Sequence, residues 1–472
     1  MNKRYKVLLI LVGISVMFGI TACEKSLEVE PDPSFGLAPD VAIQNAQDMQ
    51  QLLNSCYDAC ANMMNGQFQV ISDLMGDDVV RPTNNDGNLT AIYNHTSSEF
   101  NGTIGGAYAQ PYFTIYRCNI MDLYWDQLDL SASEKDRMQG EAAFLRALCH
   151  YETVKLWAQP AGYTADNSHN GIIERKRALN EVVPRTPVAS NYSFIINDLN
   201  TAITKLPVSN GVYANQAAAK ALLAKVYFTM GRYDDALPLL NDVIGLGFTL
   251  SDSLNRFKRA EVESEMIFGF VTAGTPYDIN VRGATFKDMY RNDLLPDGNL
   301  PILGLSADLR NLLKGDTSDQ RGKLVKLINE GKPNEFYAST KYNINDFASP
   351  YLTLTDMLLT RAEIHAIKGN TAQAIADILP IVKRAYVPSA NKEIAINALS
   401  GPALVEEIRL QRRLEMHLEG DRLTQVKRIG AFHNNTQTIR NAPWNCNGMV
   451  LQFPASAGTV KGFQFNPTGG CN

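Results

Sequence analysis

Residues Ile408 to Arg428 read I-R-L-Q-R-R-L-E-M-H-L-E-G-D-R-L-T-Q-V-K-R. Leu410, Leu414 and Leu418 recur every four residues, the spacing of one face of an α-helix. Gly420 interrupts the pattern, and a second short helix follows. Arg409, Arg412 and Arg413 sit beside Glu415 and Glu419 along this stretch. The residue spacing by itself predicts leucines facing inward and ion pairs on a solvated face, each pair contributing only ~0.3–0.5 kcal/mol. His417 and Glu419 read as a surface pair on the same face. The segment becomes diagnostic only beside the rest of the chain.

Upstream, two stretches share one pattern. Ala224, Tyr227, Gly231, Tyr233, Ala236 and Leu240 have the spacing of a tetratricopeptide helix pair. Ala362, His365, Gly369, Ala374 and Ile378 repeat it. Glycine makes the turn and small alanines allow close approach; such pairs bury their faces by stacking, so more than two are expected. Ala107–Trp157 is the expected further pair, and His365 is expected in the core. The fold class is therefore mainly α, with tetratricopeptide-like pairs near 107–157, 215–246 and 350–387.

The other helices follow from their apolar periodicity. Ala42–Met64 reads as one, with Cys56 and Cys60 as buried thiols. Ser133 with Asp136 reads as the cap of a helix ending at Trp157, and Ser190–Lys205 as another. Gly76–Gly106, rich in Asn, Asp, Gly and Thr, reads as a long surface loop. Residues 252–349 form a loop-rich insert with a strand-like Glu265–Phe270. Residues 402–472 supply a C-terminal helix and tail, in which Cys446 and Cys471 could pair.

The chain has 472 residues, 45% hydrophobic and 20% charged, with net charge -5. The first 22 residues carry three basic residues and no acid, so the rest carries -8. That balance argues against nucleic acid as a partner, which needs a basic surface. Residues 1–22 read as a signal peptide: Lys3, Arg4 and Lys6, then apolar Val7–Ile20. Ile20-Thr21-Ala22-Cys23 resembles a bacterial lipobox, with Cys23 as the lipidated residue. Acyl chains would then tether a soluble body at one end. Residues 23–39 read as the tether and 40–472 as a single domain. Glu24, Glu28 and Glu30 resemble a surface-export signal of Bacteroidetes lipoproteins.

Catalytic motifs are missing: there is no H-E-x-x-H, G-x-S-x-G, Walker A loop or G-x-G-x-x-G. Asp77 and Asp78 are adjacent, whereas glycoside hydrolysis needs carboxyl groups facing each other across a substrate. Asn84, Asn85, Asp86 and Asn88 do not match a calcium loop. No cofactor and no metal is expected. What remains is binding, and sugars are bound by aromatic faces aided by polar side chains. Tyr93, Tyr108, Tyr112, Tyr277, Tyr290 and Trp444, in or near polar loops, are the candidate ligand-binding residues.

Four stretches together resemble the SusD/RagB family of outer-membrane lipoproteins. They are Glu141-Ala142-x-Phe144-Leu145-Arg146-Ala147 with Tyr151 and Leu156-Trp157; Pro184–Val188 continuing through Tyr192, Asp198-Leu199 and Leu206-Pro207; Ala221–Tyr227; and Arg412-Arg413-x-Glu415, Glu419-Gly420 and Arg422. Gln425 departs from the family's usual Asp, and Phe465–Asn472 from its usual ending. The resemblance implies a tetratricopeptide-like scaffold with loop-rich, partly β insertions as the ligand surface. It implies a non-enzymatic, lipid-anchored outer-membrane protein that captures a glycan and passes it to a SusC-like TonB-dependent transporter. A RagB-like peptide ligand, a surface glycoside hydrolase and a purely structural transporter subunit are the alternatives.

Overall fold

The computed structural model describes residues 42–81, 86–178, 183–255, 264–271, 284–294, 300–344, 348–433 and 438–471. Cys23, the lipobox, the tether, Asn84, Asn85 and Tyr277 lie outside these residues.

The first helices are α1 (Ala46–Met63) and α2 (Gln67–Met75), followed by β1 (Val79–Val80), α3 (Gly87–Tyr93) and α4 (Gly102–Met121). Gly76–Gly106 is thus not a long loop. The Asp86 carboxylate accepts the backbone N–H groups of Asn88 and Leu89, and the Asn101 side chain accepts that of Ile104; each starts a helix. Asp86 and Asn101, two of the polar residues that suggested a loop, are helix caps. In α5 (Ala132–Trp157) the cap is Ser131 with Glu134, a reciprocal box two residues earlier than the Ser133–Asp136 spacing suggested.

A hairpin of β2 (Asn170–Ile173) and β3 (Arg185–Pro187) leads into α6 (Val188–Lys205). Then come α7 (Gln216–Thr229) and α8 (Tyr233–Ile244), the first pair read from the repeat. Gly231 makes their turn at φ +70°. The insert holds β4 (Met266–Phe270), α9 (Ala284–Tyr290), β5 (Gly304–Leu305), α10 (Ala307–Lys314), β6 (Val325–Ile328), β7 (Phe336–Ser339) and β8 (Ser349–Thr353). The second repeat pair is α11 (Leu354–Ile367) and α12 (Thr371–Ala385), turning at Gly369 with φ +78°. After α13 (Ala390–Asn397) come α14 (Gly401–Glu415), α15 (Arg422–His433) and the short pair β9 (Thr438–Ile439) and β10 (Ala442–Pro443).

Helices α4 and α5 pack together as expected, and α5 also packs on α1 and α6. The strands form two-stranded antiparallel ladders, β1 with β5 and β4 with β8 among them. A large core joins Phe144, Trp157, Leu222 and Phe268. Buried Cys56 and Cys60 carry free thiols, and Cys446 and Cys471 form a disulfide.

The helix–break–helix reading of 408–428 holds, but its charges point the other way. Arg412 and Glu415 are buried, while Leu410 is only half-buried. Arg412 bonds Asp356 at 2.6 Å and Asp421 at 2.8 Å; Arg428 grips both oxygens of Glu363; Glu415 meets Arg321 and Arg384. Arg413 reaches Asp78 and Arg422 reaches Asp77. Spacing within one helix cannot reveal these partners, because most come from α11, α12, the turn after α10 and the chain after α2. His417 is likewise buried, its Nδ1 2.7 Å from the Leu414 carbonyl, and His365 is half-buried rather than core.

Candidate functional site

Helix α4 puts Tyr108, Tyr112 and Tyr116 one turn apart, with Phe113 beside them. Opposite lies the end of β2, where Ile173, Arg175 and Arg177 close a cleft of about 590 Å³. Phe113 is 53% exposed and Tyr116 50%, an unusual state for large rings. The deeper rings are fixed. Tyr108 donates to the Tyr112 hydroxyl at 3.3 Å, and Tyr112 donates to the Ile173 carbonyl at 2.9 Å. Burial pushes Tyr108 up to about 12 and Tyr112 upward as well, so both stay neutral. Asn119 on the cleft wall donates to the Arg175 carbonyl at 3.1 Å. The Arg175 backbone N–H donates to His150 Nε2 at 3.4 Å.

A second cleft of about 370 Å³ lies on the other side of the hairpin. Tyr163, His169, Asn170, Gln464 and Phe465 are among its walls. His169 is held by Thr164 and by the Gln159 carbonyl. The disulfide joins the tail after Cys446 to Cys471, just past this wall. Arg185 stands between the clefts. Its guanidinium donates to the carbonyls of Gly171, Asn170 and Gln464 and lies 4.5 Å over Phe453. A file of rings, Tyr112–Tyr108–Phe453–Phe463–Phe465, runs from one cleft to the other with centroids 5.0–5.4 Å apart.

Of the candidate residues, the structure brings Tyr108 and Tyr112 together in the first cleft. Trp444 is half-buried, 6.5 Å from Tyr163 of the second. Tyr93 lies apart, under the Arg440 guanidinium at 4.0 Å. Tyr290 is a correction: it is 1% exposed, stacked on Tyr342, and donates to Asp73 at 2.8 Å. No face remains for a ligand. Phe113, Tyr116, Tyr163, Arg175, Arg177 and Arg185 were missed. The four-residue spacing of 108, 112 and 116 was a visible signal; the hairpin that faces it was not.

Asp77 and Asp78 do not form a hydrolytic pair, since each is engaged by an arginine. Burial works against ionisation of Asp77, but Arg422 and Arg413 outweigh it and hold the carboxyl below its usual range. Among the described residues, no group of three or more His, Cys, Asp or Glu could hold a metal ion. Among them, too, no helix is long and apolar enough to cross a membrane.

Two family profiles match the chain. One, described as starch-binding associating with outer membrane, covers residues 25–228; the other, the SusD family, covers 314–457. A SusD-like protein of Formosa agariphila is 25% identical over 251 residues, 50% of this chain and 45% of that protein. The match therefore spans about half the length of that relative. A SusD superfamily structure from Bacteroides thetaiotaomicron superposes with TM-score 0.78 at 21% identity, covering 90% of this chain and 100% of that one. A surface glycan-binding protein from Bacteroides uniformis gives 0.70 at 18%, covering 89% and 99%. A laminarin-binding SusD-like protein gives 0.68 at 19%, covering 90% and 100%. With these matches at both ends of the described fold, and the Arg412–Arg422 motif seated as its central brace, the chain belongs to the SusD/RagB family.

Proposed function

We propose that this protein binds a glycan at the cell surface without chemical conversion and delivers it to a SusC-like TonB-dependent transporter. In this reading residues 1–22 are removed, Cys23 carries the lipid in the outer membrane, and residues 40–472 act as one binding domain. The observation that carries the binding role is the cleft on α4. Exposed Phe113 and Tyr116 offer flat faces to sugar rings, and Arg175 and Arg177 set guanidinium side chains at its walls. Rings held by a helix lose little freedom on binding, which favours affinity. Tyr108 and Tyr112 line its floor, and Trp444 stands behind the second cleft. The binding described for the laminarin-binding and Bacteroides uniformis proteins supports the same ligand class.

Calorimetry and affinity electrophoresis against a panel of polysaccharides test this. Binding is expected, and the double variant Phe113→Ala, Tyr116→Ala should weaken it about tenfold or more. Both side chains are half exposed, so the variant should fold. Binding of peptides with no glycan bound would overturn the reading in favour of a RagB-like role. Delivery is tested separately, by copurification with a barrel partner from the native membrane.

A further inference from the structure

The hairpin that faces α4 is basic in an acidic protein. Between residues 174 and 187 stand Arg175, Lys176, Arg177 and Arg185 against Glu174 and Glu181, whereas the whole chain has net charge -5. Glu174 is buried, and its carboxylate is engaged by Lys176 at 2.7 Å and by the Ser190 hydroxyl at 3.0 Å. Arg175 and Arg177 line the first cleft, on the wall that faces Tyr112, Phe113 and Tyr116.

Arg185 is the more telling group. It lines the second cleft, and its three described hydrogen bonds all go to backbone carbonyls. Among the described residues it has no carboxylate partner. A buried or half-buried cation is ordinarily paired. Burial lowers its affinity for the proton to about 10, and only the neutral tyrosines Tyr108 and Tyr112 stand near enough to oppose that. A guanidinium that still has N–H groups to give, stacked on Phe453 and set between two aromatic clefts, suits a planar or tetrahedral oxyanion.

We propose that the glycan is anionic, carrying carboxylate or sulfate groups, and that it crosses the β2–β3 hairpin from one cleft to the other over Arg175, Arg177 and Arg185. This rests on the glycan-binding reading above. The ring file Tyr112–Tyr108–Phe453–Phe463–Phe465 gives the two clefts a common floor, so a single chain would span both. Sugar faces would lie on Phe113 and Tyr116 at one end and on Tyr163 and Phe465 at the other, with the charged groups at the arginines between them.

The test compares three probes on the whole mature protein: a polygalacturonate, a sulfated galactan and a neutral β-glucan, with poly-L-glutamate as a fourth. At low salt at least one acidic glycan should bind about tenfold or more tighter than the neutral one. Raising salt from ~0.05 to ~0.5 M should remove most of that preference, because screening shortens the reach of charge. The variant Arg177→Glu, at an exposed position, should abolish the preference while the circular dichroism spectrum is unchanged. Arg185→Gln should do the same, and Arg185→Lys should restore part of it. Which acidic probe responds distinguishes carboxylate from sulfate. Equal binding of neutral and acidic glycans, or acidic binding indifferent to salt and to Arg177→Glu, overturns the anionic ligand and leaves the glycan reading standing. Binding of poly-L-glutamate with no glycan bound overturns both.

Discussion

Gly420 sits so close to Gln69 that a Cβ on it would lie 2.7 Å from the Gln69 Cα. Its φ is +76°, a region L side chains rarely adopt. Its N–H donates to Asp73 at 3.0 Å and its carbonyl accepts from Ser72 at 2.8 Å. The turn between α14 and α15 is thereby clamped onto α2. Gly420→Ala should therefore destabilise the fold by roughly 2–4 kcal/mol, from strain and a backbone clash together. Urea denaturation checks this; an unchanged midpoint would mean the turn and α2 can separate freely.

Arg412 closes a second clamp, between the acids Asp356 on α11 and Asp421 in the turn. Lys225 on α7 binds the other oxygen of Asp356 at 2.7 Å. Replacing one member of a buried ion network leaves a charge without compensation, at ~3–5 kcal/mol. Arg412→Met should destabilise by about that much. The double variant Arg412→Met, Asp421→Asn should recover part of the loss, since it removes one stranded carboxylate. Simple additivity in the double-mutant cycle would show the pair to be uncoupled.

These two clamps show what could be read in advance. The turn at Gly420 and the glycines at 231 and 369 were legible, because a glycine between two apolar-periodic runs has one common use. The repeat pairs followed from alanine spacing. The orientation of Arg412 and Arg428 was not legible: a charged residue next to a leucine stripe reads as exposed unless its partner is known, and Asp356 and Glu363 lie 56 and 65 residues away. The aromatic candidates failed for a related reason. Tyr290 and Tyr112 look alike in polar surroundings, and only the packing of Tyr342 on one and the open cleft beside the other separates them. The cleft itself joins α4 to a hairpin more than fifty residues downstream, a contact no local pattern encodes.

His150 and His417 are buried, and desolvation lowers each to about 3, with Lys341 adding to the effect at His417. Both are neutral when folded and titrate near 6.5 when unfolded. Their contribution is complete above about pH 6.5 and declines as pH falls toward 3, by up to ~2 kcal/mol each at pH 5. Glu363 adds a later stage. Burial opposes its ionisation, but Arg428 and Arg409 hold it at about 2, so its contribution fades only below about pH 4. Urea midpoints should therefore begin to fall near pH 6.5, as the unfolded-state histidines take up protons. A flat profile down to pH 4.5 would exclude neutral buried histidines.

Lys427 on α15 is buried, and its ammonium has one described hydrogen bond, to the Lys155 carbonyl at 3.4 Å. Among the described residues no carboxylate pairs with it, and desolvation lowers it to about 7. The unfolded chain holds this proton up to about pH 10.4. Between those values the unfolded state binds more protons, so stability rises with pH; below about 7 the cost of burying the charge is present in full. Lys427→Met keeps the apolar stem and removes the charge. It should stabilise the protein, by roughly 1–3 kcal/mol at pH 6 and progressively less toward pH 10. Thermal melts of the two proteins at pH 6, 8 and 10 measure the difference. A variant less stable than the parent at pH 6 would show that the ammonium is compensated after all, whereas a gain independent of pH would assign the effect to packing alone.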